Sequence, residues 1–290
     1  MAPLGELAAA VGDGRPVLEA ATVLELGERD GLISPEDREF LLAQRQERSR
    51  FHKNVSYRPG TGAIRGLADP QQRERMRGIM ERYSQKVTRL LAGIAPGYAD
   101  GWSKDYASFR PIEEDGRDLP LLRRNDLLHV DAFPTRPTQG GRILRFFTNI
   151  SPTQPRIWRT GPAFADLARQ YALPAGLQRY CQGAARLRDG GNALLHRLGM
   201  SPRRTCYDRF MLHFHDYLKT NADFQGSCAP RAWSFAPNTS WAVFTDAVPH
   251  AVLSGCYALE QTFIVPVERL QDPASAPIRI LERLCGSALA

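Results

Sequence analysis

The chain has 290 residues, 43% hydrophobic and 24% charged, which fits one substantial folded core and excludes a disordered or fibrous composition. No run of 18 or more apolar residues occurs, so no transmembrane helix is expected, and the acid-bearing start MAPLGELAAAVGDG lacks the basic region of a secretory signal. The net charge is +7, and it is concentrated: between Arg45 and Arg89 twelve Lys/Arg stand against four Asp/Glu, which favours an anionic partner or a solvated basic helix face.

Residues 15–48 read as short helices; in the second of them Ser34 serves as a cap, Pro35 takes the first position, and Glu36 and Asp37 fill the first turn. A longer helix is predicted from Asp69, a cap, and Pro70. Met76, Ile79, Met80, Tyr83, Val87, Leu90 and Leu91 then recur at helical spacing. From about Tyr98 short β-branched and aromatic runs alternate with turn residues: LLHVDAF, RILRFFTNI, RIWRT, WAVFTDAV and ALEQTFIVP. Residues 161–223 interrupt them with helical patterning. The expected fold is an all-β core with helices, a double-stranded β-helix (jelly-roll, cupin-like) with a helical N-terminal layer and a helical insertion. Its expected divisions are a mainly helical segment over 1–95, the jelly-roll core over 96–270 and a tail over 271–290. Five cysteines (Cys181, Cys206, Cys228, Cys256 and Cys285) form no CxxC pair. Neither a disulfide framework nor a cysteine-held zinc is expected, and a reducing, cytoplasmic location follows.

His129 and Asp131 close the apolar run LLHVD. On a strand, residues i and i+2 project to one face, so both can meet one ion. His250 follows the strand-like WAVFTDAVP. Two imidazoles and a carboxylate form the facial triad of non-haem iron(II) oxygenases, with positions left open for a cosubstrate and O2. His129, Asp131 and His250 are therefore the candidate metal ligands and catalytic centre. On the strand GGRILRFFTNI, Ile143, Arg145, Phe147 and Asn149 share one face and Arg142 takes the other. An inward Arg needs an anion, and the distal carboxylate of 2-oxoglutarate suits its bidentate fork. Arg145 is the preferred anchor and Arg142 the alternative, with Asn149 and Gln261 as further contacts. Asn149, Trp158 and Tyr257 are candidates for sugar binding, and Ser254 is either a pocket contact or a turn residue. His213 and His215 compete for the metal only if MLHFHDYL is a strand; on the predicted helix, i and i+2 diverge. His52 and His196 read as surface or packing residues. No Gly-rich phosphate loop, GxSxG elbow or HExxH sequence is present.

The strings HVDAF, RILRFFTNISPTQPRIW, YDRFMLHFHDYLKTNADFQ and WAVFTDAVPHAVLSGCYALEQTFIVP resemble the Kdo hydroxylase (Kdo 3-hydroxylase, Kdo dioxygenase) family of Gram-negative bacteria, from about Arg45 to Pro266. The resemblance implies iron(II) held by His129, Asp131 and His250, 2-oxoglutarate and O2 as cosubstrates, and stimulation by ascorbate. It implies hydroxylation at C3 of the outer Kdo sugar of Kdo2-lipid A, or a precursor, to give Ko. This points the basic segment at an anionic glycolipid on the cytoplasmic face of the inner membrane instead of at nucleic acid. Arg45, Arg48, Arg50, Lys53 and Arg58 are candidates for that surface contact. The alternatives are an oxygenase of the same class acting on another anionic sugar or lipid, and a non-catalytic jelly-roll module whose basic segment binds nucleic acid.

Overall fold

The structure is a computed structural model that describes residues 18–19, 22–29, 31–44, 54–181 and 203–290. Strand β1 (Leu24–Glu28) lies within the stretch expected to be helical. It pairs with a later strand, and Gly27, at φ 67°, sits at the irregularity in that pairing. The helical reading of 15–48 is corrected there: alternating burial along LELGE against an existing sheet edge outweighs weak local helix preference. Helix α1 (Pro35–Leu42) starts as its cap predicts, with the Asp37 amide donating to Ser34 Oγ at 3.1 Å. Strands β2 (Val55–Arg58) and β3 (Ala63–Arg65) follow and were not anticipated. Helix α2 (Pro70–Ile94) is capped by Asp69, which accepts from the Gln72 amide at 2.7 Å. It buries Met76, Ile79, Met80, Tyr83, Val87 and Leu91 along one face.

The rest of the described chain adds β4 (Ser103–Arg110), β5 (Arg142–Asn149), β6 (Arg156–Thr160), helix α3 (Phe164–Tyr171) and helix α4 (Cys206–Thr220). Then come β7 (Arg231–Phe235), β8 (Thr239–Phe244), β9 (His250–Ser254), β10 (Ala258–Val265) and helix α5 (Pro277–Cys285). The strands form two antiparallel sheets, one ordered β1-β8-β5-β10-β4-β2-β3 and the other β7-β6-β9. This is a mixed α/β fold consistent with a double-stranded β-helix core, and among the described residues the two sheets stay separate, without closing into a barrel.

Parity along β5 decides what faces the site. Leu144 and Phe146 join the core that α2 shares, and Tyr83 Oη lies 3.1 Å from Thr148 Oγ1 on that outer face. Phe147 points the other way, into a cluster with Trp158, Phe235 and Trp241 that bridges the two sheets. Phe235 and Trp241 stack with centroids 3.9 Å apart, and Trp158 meets Trp241 edge-on at 5.6 Å. These rings hold the sheets at a fixed separation by burial and quadrupole geometry together.

Three further departures matter. LLHVDAF contributes only an isolated bridge, His129 to His250, and not a strand. The run ending at Val248 splits: β8 stops at Phe244, and His250 opens β9 instead of closing the earlier strand. Cys181 and Cys285 are joined as a disulfide, Cα atoms 5.9 Å apart, which corrects the expectation of none; 104 residues separate them, so no spacing pattern announces the pair.

Candidate active site

The site is built on a backbone pair. His129 N donates to His250 O at 3.2 Å and His250 N donates to His129 O at 2.9 Å. Directly opposed antiparallel residues project to the same face, and Asp131, two residues on, joins them there. The Asp131 amide is held by Thr245 O at 2.8 Å. His129 Nε2 lies 3.9 Å from Asp131 Oδ1, and His250 Nε2 lies 3.8 Å from Asp131 Oδ2. The two imidazole centroids are 4.7 Å apart.

A third imidazole arrives from the insertion. His215, on α4, has its ring 4.8 Å from that of His129, and one donor atom each of His129, Asp131 and His215 fall within 4.8 Å of one another. All three histidines are oriented alike. Nδ1 of His129 meets Leu127 O at 2.7 Å, that of His250 meets Val248 O at 2.9 Å, and that of His215 meets Val130 O at 2.7 Å. A carbonyl only accepts, so Nδ1 carries the proton and the Nε2 lone pair is left for a ligand or donor. Trp158 stacks on His250 at 5.4 Å and fixes its ring plane.

Burial pushes His129, His250 and His215 below the ordinary imidazole range, which keeps them neutral and able to ligate. Burial acts to raise the Asp131 carboxyl, but the Arg145 guanidinium and the imidazoles outweigh it and hold it well below the usual carboxylate range. Asp131 Oδ2 is buried without a hydrogen-bond partner. Two imidazole Nε2 atoms, an ionised carboxylate and an orphaned buried oxygen fit a divalent metal, and nitrogen–oxygen donors without thiolate fit iron(II).

A cavity of about 330 Å³ opens on this cluster, lined on its cationic side by Arg110, Arg123, Arg145, Arg156 and Lys219. Arg145 lies in it as parity predicts, with Nε 3.2 Å from Asp131 Oδ2 and Nη1 3.3 Å from Glu260 Oε1. Arg110 holds the same Glu260 at 2.8 and 2.6 Å. Arg156 is 1% exposed and less completely matched. Its Nη1 donates to Gly255 O at 2.8 Å, its Nη2 is 3.7 Å from Glu114, and its Nε has no partner. Burial pushes it down to about 10.

Of the other expected residues, all but Trp158 lie outside the cavity lining. Arg142 points to the outer face, where it pairs with Asp246 at 2.8 Å over the Phe244 ring. Asn149 ties its own loop, donating to Gln154 O and Phe235 O and accepting from the Ser151 amide. Gln261 donates to Asp105 O at 3.0 Å and to Thr262 O at 2.8 Å. Ser254 ends β9, and Tyr257 packs on the larger core; Trp158 does line the cavity. His213 turns away to Ala175 O at 2.9 Å. His52 and His196 lie outside the described residues.

Sequence reasoning passed over Arg110, Arg156 and Lys219, and set His215 aside because i and i+2 on a helix diverge; the structure brings His215 alone, without His213, to the site. Period-two counting along RIWRT puts Arg156 on the face of Trp158, so that signal was available. Lys219 follows His215 by four on one helix face, which a helical wheel shows once α4 is placed.

The chain matches the family described as 3-deoxy-D-manno-oct-2-ulosonic acid (Kdo) hydroxylase over residues 13–288. Among solved structures it is similar to the Kdo hydroxylase KdoO, a non-heme Fe(II) alphaketoglutarate-dependent dioxygenase, in complex with alphaketoglutarate and Fe(III). That match has 32% identity and a TM-score of 0.79, and covers 94% of this chain and 89% of that one. The same enzyme with cobalt(II) matches at 32% identity and a TM-score of 0.78, covering 94% and 89%. With succinate and Fe(III) the values are 32%, 0.77, 94% and 88%. No curated protein sequence matches the chain.

Proposed function

The chain belongs to the Kdo hydroxylase family and is a 2-oxoglutarate-dependent dioxygenase, and from that premise we propose that it hydroxylates C3 of the outer Kdo sugar of Kdo2-lipid A, or a precursor, to form Ko. The observation that carries this reading is the joining of a buried two-histidine, one-carboxylate cluster to a cavity whose cations outnumber its lining acids. Asp131 is the only acid among the lining residues, against five cations. A dicarboxylate cosubstrate and an acidic sugar both suit such a cavity.

His129, Asp131 and His250 would hold the iron. A fourth protein ligand would leave too little room for 2-oxoglutarate and O2, and this is why His215 is assigned a place beside the metal and not on it. Bound there, iron supplies the oxygen chemistry that couples decarboxylation of 2-oxoglutarate to hydroxylation. The carbonyls of Leu127 and Val248 keep the two ligating imidazoles in one tautomer. Arg145 keeps Asp131 ionised and in place. Arg145 and Arg156 receive 2-oxoglutarate, Arg145 beside its metal-binding end and Arg156 at its far carboxylate. Their positions support that division: Arg145 Nε lies 3.2 Å from Asp131, whereas Arg156 stands on β6 four residues from the Thr160 that pairs with His250. Trp158 and Phe147 wall the cavity with rings that exclude water from the reacting carbon.

The acceptor lies in a bilayer, and no helix among the described residues is long and apolar enough to cross a membrane. We assign a peripheral position on the cytoplasmic face of the inner membrane, with the basic surplus of 45–89 facing anionic headgroups. Arg58 is exposed at the end of β2, while residues 45–53 lie outside the described residues. Ascorbate is expected to sustain turnover by keeping iron reduced. The deciding experiment is mass spectrometry of Kdo2-lipid A incubated with protein, iron(II), ascorbate and 2-oxoglutarate. The expected result is a gain of one oxygen on the Kdo portion; no gain there would sink the assignment.

A further inference from the structure

Helix α4 brings to the cavity a charge that, among the described residues, no carboxylate contacts directly. Lys219 is 4% exposed and lines the cavity. Its Nζ donates to the Leu122 carbonyl at 3.0 Å, and among the described residues no carboxylate oxygen lies within 4.0 Å of it. Asp131, Asp216 and Asp126 act on it only from longer range. Three other cavity cations differ. Arg145 and Arg110 share Glu260, and Arg156 has Glu114 at 3.7 Å. A buried ammonium with one neutral acceptor is costly to hold in that state, and an anion entering the cavity relieves the cost.

Its position says which anion. Lys219 follows His215 by four residues on α4, about 6 Å along the helix axis. His215 in turn holds the carbonyl of Val130, the residue between His129 and Asp131. Lys219 therefore stands one helical turn from His215 and shares the cavity with His129, Asp131 and His250, on the inserted helix and not on the sheets that carry Arg145 and Arg156. We propose that Lys219 forms the acceptor's carboxylate subsite: it binds the carboxylate of the sugar acid and so presents the carbon two bonds away to the metal centre. In a 2-keto-3-deoxy sugar acid that carbon is the methylene C3. The proposal rests on the sugar-acid reading above, and it makes Lys219 the residue that selects an acid over a neutral sugar and fixes which carbon is attacked.

The test compares binding of a soluble Kdo glycoside with that of its methyl ester, by calorimetry on the full chain loaded with cobalt(II) and 2-oxoglutarate. Wild type is expected to prefer the acid by about 10- to 100-fold, the range of a charge-assisted hydrogen bond. In Lys219→Met the preference should collapse to within about 2-fold, with ester affinity and 2-oxoglutarate affinity unchanged. Lys219→Gln, which keeps a donor for Leu122, gives the same reading should the methionine variant not fold. Three results overturn the proposal: a wild type without acid preference, variants that keep the wild-type preference, or variants that lose 2-oxoglutarate affinity while the preference stands. Because binding is read without turnover, the subsite and the reaction can fail separately. A Lys219-dependent preference with no oxygen added to the glycoside by the iron enzyme sinks the C3 reading alone. Normal hydroxylation with a preference indifferent to Lys219 sinks the subsite alone.

Discussion

His129 and His250 exchange both backbone hydrogen bonds, at 3.2 and 2.9 Å, although no continuous strand pairing surrounds His129. The pair pins two Nε2 lone pairs to one spot, and Asp131 joins because it is two residues on. His215 reaches the same spot from a helix. Four donor side chains, of which three are proposed as metal ligands, make an asymmetric prediction. His250→Ala should lower cobalt(II) or iron(II) affinity by more than about 100-fold, whereas His215→Ala should lower it by no more than the roughly 10- to 100-fold typical of groups that orient ligands. Metal titration followed by cobalt absorption checks this, and the reverse ranking would move the third ligand to His215.

The cosubstrate predicts a second asymmetry. Arg156→Met should raise the 2-oxoglutarate dissociation constant by about 10- to 100-fold while leaving metal affinity nearly unchanged, since Arg156 lines the cavity and its ion-pair partner is Glu114, not Asp131. Arg145→Met should weaken both, because Arg145 Nε lies 3.2 Å from Asp131. Titrating 2-oxoglutarate into metal-loaded protein separates the two. Equal behaviour of the variants would end the division of roles.

Much of this was legible in residue order. The HxD spacing, the helix caps at Ser34 and Asp69, and the β5 parity that turns Arg145 inward all follow from local periodicity, which the sequence carries directly. What was not legible depends on long-range pairing. β1 is a strand because β8 offers it an edge more than 200 residues later, a contact that local preference cannot anticipate. The split between β8 and β9 was hidden because WAVFTDAVP reads as one strand-like run. Arg156 could have been found by parity with Trp158, whereas Lys219 could not, because its place at the cavity depends on where α4 packs.

Glu260 gives the pH-dependent prediction. Burial works to raise its carboxyl, and the Arg110 and Arg145 guanidiniums outweigh that and hold it below the ordinary glutamate value of 4.5. A folded pKa below the unfolded one contributes stability that is full above pH 4.5 and is lost as pH falls through the folded value. Wild type should therefore weaken as pH drops below that point, and Glu260→Gln should show a shallower fall over the same window. At pH 7 the variant should be less stable by about 3 kcal/mol, because Arg110 is left buried beside a neutral amide. Urea unfolding at a series of pH values measures both, and an unchanged acid slope would remove Glu260 from the account.

Gly255 tests how tightly the cosubstrate end of the cavity is built. Its φ is +109°, a conformation that L side chains rarely adopt, and an added Cβ would lie 2.9 Å from Arg156 Cα and 3.1 Å from its Cγ. The same residue accepts from Arg156 Nη1 at 2.8 Å and donates its amide to Glu113 at 2.5 Å. Gly255→Ala must therefore push on the backbone and the stem of the arginine that its own carbonyl orients. Gly27 is the control: it also has positive φ, +67°, but a Cβ there meets nothing within 4 Å. Both alanines should cost about 1–2 kcal/mol from backbone conformation alone. Only Gly255→Ala should add about 1–3 kcal/mol of overpacking, and only it should weaken 2-oxoglutarate binding. The two variants compared by urea midpoint and by 2-oxoglutarate titration decide the matter; if Gly255→Ala lost stability but bound 2-oxoglutarate normally, Arg156 would not be the group that Gly255 positions for the cosubstrate.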